Sequence, residues 1–242
     1  MDRCQRRQDI RHHRSVPSIT ILSISFCTVL TILDPASNEK IGTLPDLTRS
    51  ETAEAISHAT KAFASFRNTT PRDRSHLLRA WFNLCQTHSA DIARLLTWEN
   101  GKPLAEAKAE VAYGSSFFEW FSEEAPRLYG DVIPSSYKGN RIITIRQPVG
   151  VVGIITPWNF PMAMITRKVG AAIAAGCTCV IKPASETPFT ALAVAELGER
   201  AGIPKGVINI VTAHENTKDV GSELCENPSV RKISFTGSVC TL

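Results

Sequence analysis

The amino-acid sequence predicts an α/β protein with a parallel sheet, flanking helices and one protruding β-hairpin. Its second half alternates short apolar runs with segments of helix length, which is typical of βαβ units. Its first half has helical periodicity, and a β-rich segment lies between the two halves. The four apolar runs, each expected to form a strand, are Val151–Ile155, Thr178–Ile181, Val207–Val211 and Ile233–Phe235.

Helical periodicity extends from Ser50 to about Glu124 and predicts a set of packed helices. Ser50 is placed to cap the first helix and Ser89 to cap the third. The sequence NGKP at residues 100–103 ends that third helix, because glycine and proline commonly follow the last helical turn. We expect the aromatic side chains of this region to pack between helices.

The segment Tyr129–Val149 predicts a β-hairpin with two extended arms on either side of the sequence KGN at residues 138–140. A hairpin inserted between helices and a parallel sheet often projects from the domain. Its open edge can pair with another chain, so we predict that it belongs to an oligomer interface.

The helix after the second strand has clear end signals. Thr187 is predicted to cap it, Pro188 lies in its first turn, and Gly202 followed by Pro204 ends it. Ligands of such parallel sheets bind at the carboxyl ends of the strands. We therefore expect the functional residues of this chain to lie in the loops that follow the four strands.

The composition is that of an ordinary globule, with 43% hydrophobic and 21% charged residues in 242. The formal charge of +4 is mild and no basic stripe is interleaved with aromatics, so no nucleic-acid partner is predicted. The seven cysteines lack C-x-x-C spacing, which predicts reduced thiols and neither disulfides nor a metal site. Reduced thiols indicate the cytoplasm or the mitochondrial matrix.

The N-terminal region carries five arginines in its first fourteen residues, followed by an uncharged run from Ser15 to Leu33. Three interpretations stay open: a signal anchor, a mitochondrial presequence, or a non-native leader from a wrongly chosen start. The run is rich in Ser and Thr and only moderately apolar, so no membrane span is predicted. Residues 1–32 are predicted to form a divergent, disordered leader.

The first strand of the sheet leads into a loop in which two prolines bracket Trp158, Asn159 and Phe160. The prolines fix the backbone on both sides, so this loop is expected to be stiff. The Asn159 amide could donate to an oxygen that becomes negative during a reaction. Alternatively, Asn159 is a buried residue that caps the helix beginning near Met162.

The second strand ends at Lys182, which is expected to emerge from the core at the ligand edge and could donate to ribose hydroxyls or a phosphate. A solvated lysine at a strand end is the alternative. Gly237 and Ser238, after the fourth strand, would allow close approach of a pyrophosphate. No G-x-G-x-x-G sequence follows any strand, so the usual dinucleotide fingerprint is missing.

The sequences TPWNFP, KPASETP and ISFTGS, in this order and at these separations, resemble the NAD(P)-dependent aldehyde dehydrogenases from about Leu33 to Ser238. FFEWFSEEAPRLYGD and PMAMITRKVGAAIAAGC are similar to the succinate-semialdehyde dehydrogenases of that family. The resemblance implies a Rossmann-like cofactor domain, NAD or NADP as cofactor, an aldehyde substrate, as in 4-aminobutyrate degradation, and a homo-oligomer.

The resemblance also implies roles for individual residues. Asn159 matches the side-chain donor to the reaction oxyanion, and Arg167 matches a residue that pairs with the far carboxylate of the substrate, for which a guanidinium fork is suited. The positions that match the cofactor site, namely its lining loop, its ribose contacts and its pyrophosphate contacts, are Ile155, Thr156, Trp158, Lys182, Ser185, Gly237 and Ser238.

In the family, the nucleophilic cysteine and the general-base glutamate lie beyond the position of Ser238, and none of the seven cysteines here has a matching context. We expect a helical part of the cofactor domain at 33–128, the hairpin at 129–149, a truncated sheet part at 150–242, no catalytic domain and no turnover. The alternatives are a non-catalytic fragment that binds full-length subunits, a dehydrogenase for another semialdehyde, and a faulty gene model.

Overall fold

The computed structural model describes residues 28–238, and its centre is a parallel sheet in the strand order β7-β6-β5-β8. All four predicted strands are present, although β7 is shorter than the predicted run and β8 begins earlier. The strands of the sheet are β5 (Val151–Ile155), β6 (Thr178–Lys182), β7 (Ile208–Ile210) and β8 (Val230–Phe235). Every pair in this sheet is parallel, as βαβ connections require.

Seven α-helices belong to the described part of the chain, and they cover both faces of the sheet. They are α1 (Arg49–Phe66), α2 (Pro71–Thr87), α3 (Ser89–Asn100), α4 (Leu104–Glu124), α5 (Ala163–Ala174), α6 (Pro188–Arg200) and α7 (Thr217–Glu226). Val152 and Ile154 of β5 pack against the cluster formed by α2 to α6, while Val151 packs with α1 and α7. Alternate residues of a strand face opposite sides, so β5 is buried from both.

Two of the three predicted helix caps are wrong. The third residue occupies the predicted N-cap position but makes no capping hydrogen bond with its side chain. Thr48, not Ser50, caps α1, because its hydroxyl accepts from Ser50 N while Glu51 accepts from Thr48 N at 2.7 Å. The N-cap of α3 is His88, one residue before Ser89. Thr187 occupies the N-cap of α6 with Pro188 at the first position, but its hydroxyl makes no capping hydrogen bond.

The end signals of two helices are confirmed. Gly101 follows α3 with φ of 79°, a left-handed conformation that glycine adopts without a steric penalty. Gly202, with φ of 97°, follows α6 in the same way.

Within residues 28–238, two antiparallel hairpins lie outside the parallel sheet. The predicted one consists of β3 (Val132–Pro134) and β4 (Arg141–Ile143), with Gly139 in the turn at φ of 85°. The other, β1 (Val29–Leu33) paired with β2 (Lys40–Pro45), was not predicted.

The predicted boundary of the leader at residue 32 is therefore too far along the chain. Leu30 and Ile32 of β1 are buried and alternate with exposed neighbours, which is the pattern of a half-buried strand. We had interpreted most of this strand as part of the leader. Residues 1–27, with the arginine cluster, Cys4 and Cys27, and residues 239–242, with Cys240, lie outside the described residues. No helix within residues 28–238 is long and apolar enough to cross a membrane.

Candidate active site

The carboxyl ends of three neighbouring strands lie side by side at one edge of the sheet. Ile155 of β5 is in register with Lys182 of β6 on one side and with Phe235 of β8 on the other. The chain leaves this edge through backbone hydrogen bonds from Thr156 N to Lys182 O at 3.2 Å and from Thr236 N to Ile155 O at 3.1 Å. The structure thus gathers residues that are up to 80 positions apart (156 and 236).

A topological switch point lies between β5 and β8. From β5 the chain builds the sheet outward through β6 and β7, and then returns to place β8 on the other side of β5. The loops after β5 and β8 therefore diverge and leave a crevice, which is where open α/β sheets bind ligands. The predicted residues Thr156, Trp158, Asn159, Gly237 and Ser238 all belong to these two loops.

Lys182 lies at this edge, as predicted, but it is only 6% exposed. It therefore stays buried where we expected it to emerge from the core, and the alternative of a solvated lysine at the strand end is wrong. Burial lowers the pKa of its ammonium group, and the nearby carboxylates of Glu186 and Asp46 act in the opposite direction. Beside it, the Thr156 hydroxyl is buried and has no hydrogen-bond partner in the described part of the chain. An unsatisfied buried polar group costs about 1–3 kcal/mol, which a polar ligand at this edge would remove.

Ser185 follows β6 in the same loop and is half-buried. Its hydroxyl donates to the Glu186 carboxylate at 3.1 Å, so an acidic group lies next to the predicted ribose contact. Both residues line a cavity of about 430 Å³ that is bounded on its other sides by β1 and by His214. The cavity is open and large enough for part of a nucleotide.

The loop after β5 presents Trp158, Asn159 and Phe160 to solvent, with Trp158 56% exposed. Asn159 is therefore not the buried helix cap that was the alternative interpretation. The cap of α5 is instead Glu110, whose carboxylate accepts from Met162 N at 2.9 Å and from Ala163 N at 3.3 Å.

Arg167 lies on α5, one turn after the helix begins, and is half-buried. Its Nη2 donates to the Tyr113 hydroxyl at 2.9 Å, and its guanidinium lies 5.0 Å from the centre of the Phe117 ring. Contacts with aromatic faces hold the planar guanidinium in place while leaving donors for a carboxylate.

Gly237 and Ser238 are exposed at the end of β8. A Cβ atom on Gly237 would lie 2.6 Å from the Phe235 ring, so this position favours a residue without a side chain. The loop after β8 therefore lies close against the Phe235 ring at the end of its own strand.

None of the four described cysteines lies at the carboxyl edge of the sheet. Cys85 is on α2, Cys177 and Cys179 are at the amino end of β6, and Cys225 is on α7. Burial raises the pKa of the Cys85 thiol to about 12 and raises that of Cys179 as well, which keeps both protonated and unreactive.

Three polar residues behind the site, Glu99, Lys102 and Glu110, were not predicted from the sequence to support it. Glu110 caps α5, and Glu99 accepts from Phe189 N and Thr190 N, both at 2.8 Å, at the start of α6. Lys102, which was interpreted only as part of a helix end, forms an ion pair with Glu110 at 2.5 Å. The available signal was the presence of Glu99 and Glu110 on otherwise apolar helix faces, since buried acids need a specific partner.

A parallel sheet covered on both faces, with polar groups gathered at a switch point, defines a Rossmann-like α/β domain. The chain belongs to the aldehyde dehydrogenase family, whose sequence profile matches residues 25–241. That match begins eight residues before Leu33, where the resemblance was first recognised, and it includes β1.

Three known proteins show how far the similarity extends. The chain is 54% identical over 209 residues to the NADP-dependent succinate-semialdehyde dehydrogenase of Escherichia coli, which covers 86% of this chain and 43% of the relative. It is 56% identical, with the same coverage, to the glutarate-semialdehyde dehydrogenase of Pseudomonas aeruginosa.

The crystal structure of the succinate-semialdehyde dehydrogenase from Burkholderia pseudomallei superposes with a TM-score of 0.86 at 51% identity, over 88% of this chain and 44% of that one. The chain therefore spans less than half the length of the relatives it matches.

Proposed function

We propose that this chain is the cofactor-binding part of an NAD(P)-dependent dehydrogenase for an aldehyde with a carboxylate at its far end, of the succinate-semialdehyde type. The observation that carries the proposal is the carboxyl edge of the sheet, where Lys182 and the unpartnered Thr156 hydroxyl adjoin the β5–β8 switch point. The relatives with succinate-semialdehyde and glutarate-semialdehyde names support the substrate class.

The residues at this edge fit a dinucleotide. Lys182 can donate to ribose hydroxyls or a phosphate, Ser185 can donate to the ribose, and the loop of Gly237 and Ser238 can lie against the pyrophosphate. Ile155, Thr156 and Trp158 would line the cofactor on the β5 side. When bound, the cofactor supplies the hydride acceptor of the oxidation.

Two further groups fit the aldehyde. The Asn159 amide is exposed next to the switch point and can donate to the oxygen that becomes negative when a thiolate attacks the carbonyl. Arg167 can form a charge-assisted pair with the distal carboxylate. Succinate and glutarate semialdehyde differ by one methylene, a difference that a pocket discriminates by only about 1–3 kcal/mol.

The oxidation of an aldehyde by this route requires a nucleophilic thiolate. The described cysteines are buried or lie away from the carboxyl edge, so we propose that the 242-residue chain does not oxidise aldehydes by itself.

A second candidate function is a non-catalytic fragment that binds full-length subunits through the hairpin at 129–149. The hairpin exposes a row of large apolar side chains, among them Val132 at 76%, Ile143 at 66% and Ile145 at 72%. Exposed apolar residues on a free strand edge favour pairing with another chain. Co-expression with the Escherichia coli relative, followed by purification of the tagged chain, tests this function, with Ile143→Lys as the variant expected to abolish pairing.

Calorimetric titration of the chain with NADP and with NAD tests the cofactor proposal. We expect measurable binding, weakened about ten- to hundredfold by Lys182→Met, because a hydrogen bond to a charged donor is worth about 1.5–3 kcal/mol. Lys61→Met, an exposed lysine on α1, is the matched control and should bind like the parent chain. Equal affinity of the Lys182 and Lys61 variants would contradict the proposal.

A further inference from the structure

We propose that Lys102, Glu110 and Asn100 are positioning residues that hold the stretch from Trp158 to Ala163 in one conformation and thereby fix Asn159 relative to Arg167. The inference rests on the proposed roles of Asn159 and Arg167. Asn100 is the last residue of α3, Lys102 lies in the α3–α4 connection and Glu110 lies on α4, so none of the three belongs to the loop itself.

Two polar side chains, of Asn100 at the end of α3 and of Lys102 just after it, contact the loop that follows β5. Gly101, in the left-handed conformation at φ of 79°, separates Asn100 from Lys102. Asn100 Nδ2 donates to Trp158 O at 2.7 Å, and Lys102 Nζ donates to Asn159 O at 2.8 Å. Two successive carbonyls of the loop are therefore held by donors that lie only two positions apart, at the end of α3 and just after it.

Lys102 makes two further contacts that fix its own position. Its Nζ pairs with Glu110 at 2.5 Å and lies 4.5 Å from the centre of the Phe160 ring. The side chain of Lys102 is 12% exposed and that of Glu110 is 1% exposed, so the pair is shielded from solvent. Screening is weak in such a place, and an exposed surface pair would not constrain a loop in this way.

Glu110 extends the same network into the next helix. One carboxylate oxygen pairs with Lys102, and the other accepts from Met162 N and Ala163 N at the start of α5. The Ala163 carbonyl in turn accepts from Arg167 Nε at 3.2 Å. One lysine–glutamate pair thus connects the backbone of Asn159 to the helical turn that carries Arg167.

This network therefore fixes the distance between Asn159, the proposed oxyanion donor, and Arg167, the proposed partner of the substrate carboxylate. A substrate with an aldehyde at one end and a carboxylate at the other needs both groups held at a fixed separation, because misplacement by about 1 Å can cost roughly a hundredfold in rate. The sequence NGKP therefore has a role beyond ending α3: its asparagine and lysine support the loop that touches the substrate.

The test uses NMR of the ¹⁵N-labelled 242-residue chain. It compares Lys102→Met, Lys102→Arg and the double variant Lys102→Met/Glu110→Gln with the matched control Lys108→Met, an exposed lysine on α4. The double variant leaves no unpaired buried charge and guards against a Lys102→Met chain that does not fold. The signals to follow are the Asn159 side-chain amide, the Trp158 indole N–H and hydrogen exchange at the Met162 amide.

We expect Lys102→Met and the double variant to shift or broaden the Asn159 and Trp158 signals and to speed exchange at Met162 by about tenfold or more. Lys102→Arg, which keeps a cation and donors, should restore most of the parent pattern, and Lys108→Met should match the parent chain.

The inference is wrong if the Asn159, Trp158 and Met162 signals stay unchanged in both Lys102→Met chains while only the melting temperature falls. The parallel NADP titration separates the two proposals. If the parent chain binds no cofactor while the Lys102→Met chains still show these spectral changes, the proposed function is contradicted and the positioning role is supported.

Discussion

The carboxylate of Glu99 accepts a 2.8 Å hydrogen bond from the backbone N–H of Thr190, although 91 positions separate the two residues. Its other oxygen accepts from Phe189 N, so Glu99 at the end of α3 caps α6, the helix that follows the Lys182–Ser185 loop. Burial raises the pKa of Glu99 to about 7. The burial of this carboxyl group therefore makes the stability of the folded chain depend on pH.

The first prediction concerns that pH dependence. Because the pKa of Glu99 rises from 4.5 to about 7 on folding, the folded chain binds this proton more tightly than the unfolded chain. The contribution of Glu99 to the free energy of unfolding therefore falls as pH rises from about 4.5 to about 7, by a total of about 3 kcal/mol. Glu99→Gln should remove this slope.

The pH dependence is measured by urea unfolding between pH 5 and pH 8, a range of about three units around the Glu99 pKa. The chains compared are the parent chain, Glu99→Gln and the exposed control Glu106→Gln. Groups common to all three chains cancel in the differences. Parallel stability curves for the parent and Glu99→Gln would show that Glu99 does not titrate in this window.

The second prediction concerns cofactor choice. The Glu186 carboxylate accepts from Ser185 and so places negative charge next to the predicted ribose site, while Lys182 places positive charge there. We expect the chain to bind NAD and NADP with affinities within about a hundredfold of each other, since the two charges oppose. Glu186→Gln should favour NADP by about three- to tenfold, because it removes repulsion of the 2′-phosphate. Calorimetric titration of the parent chain and of Glu186→Gln with each cofactor measures these affinities. A loss of NADP affinity in Glu186→Gln would contradict the placement of Ser185 at the ribose.

The third prediction concerns Arg167 and requires an active enzyme. It uses a chimera that joins this chain to the part of the Escherichia coli relative that the match does not cover. Arg167→Met removes the guanidinium but keeps much of the apolar stem, and it should lower kcat/KM for succinate semialdehyde by about ten- to hundredfold. The value for butanal, which has no distal carboxylate, should hardly change. Equal losses on both substrates would mean that Arg167 supports packing against Tyr113 and Phe117 and does not bind substrate.

The fourth prediction concerns turnover by the chain itself. Because none of the four described cysteines lies at the carboxyl edge of the sheet, we expect no aldehyde-dependent NADPH formation with succinate semialdehyde. The measurement is absorbance at the NADPH band against a blank without aldehyde. Turnover that Asn159→Ala abolishes would show that a nucleophile is present and would overturn the expectation.

The parallel sheet could be predicted because short apolar runs between helix-length segments carry the βαβ pattern within the sequence itself. The position of Lys182 at the carboxyl edge followed from its place at the end of β6. The burial of Lys182 did not follow, because Asp46, one of the groups near it, lies far away in the sequence. The roles of Glu99 and Glu110 were hidden for the same reason, since the backbone N–H groups that donate to them lie 52 to 91 positions away.

Two smaller differences have local causes. Thr48 caps α1 because Glu51 completes a reciprocal capping box with it, a signal that lay two residues before the predicted cap. β1 was missed because its pairing partner, β2, lies in a segment with no strong strand pattern, and an uncharged run without a visible partner resembles a leader.

We propose above that a dinucleotide binds at the carboxyl edge of β5, β6 and β8. Hydrogen exchange of the 242-residue chain with and without saturating NADP tests it directly, because protection maps the contact without requiring turnover. We expect protection in residues 155–159, 182–186 and 233–238, and no change in the hairpin at 129–149. Protection elsewhere, with these three segments unchanged, would contradict it.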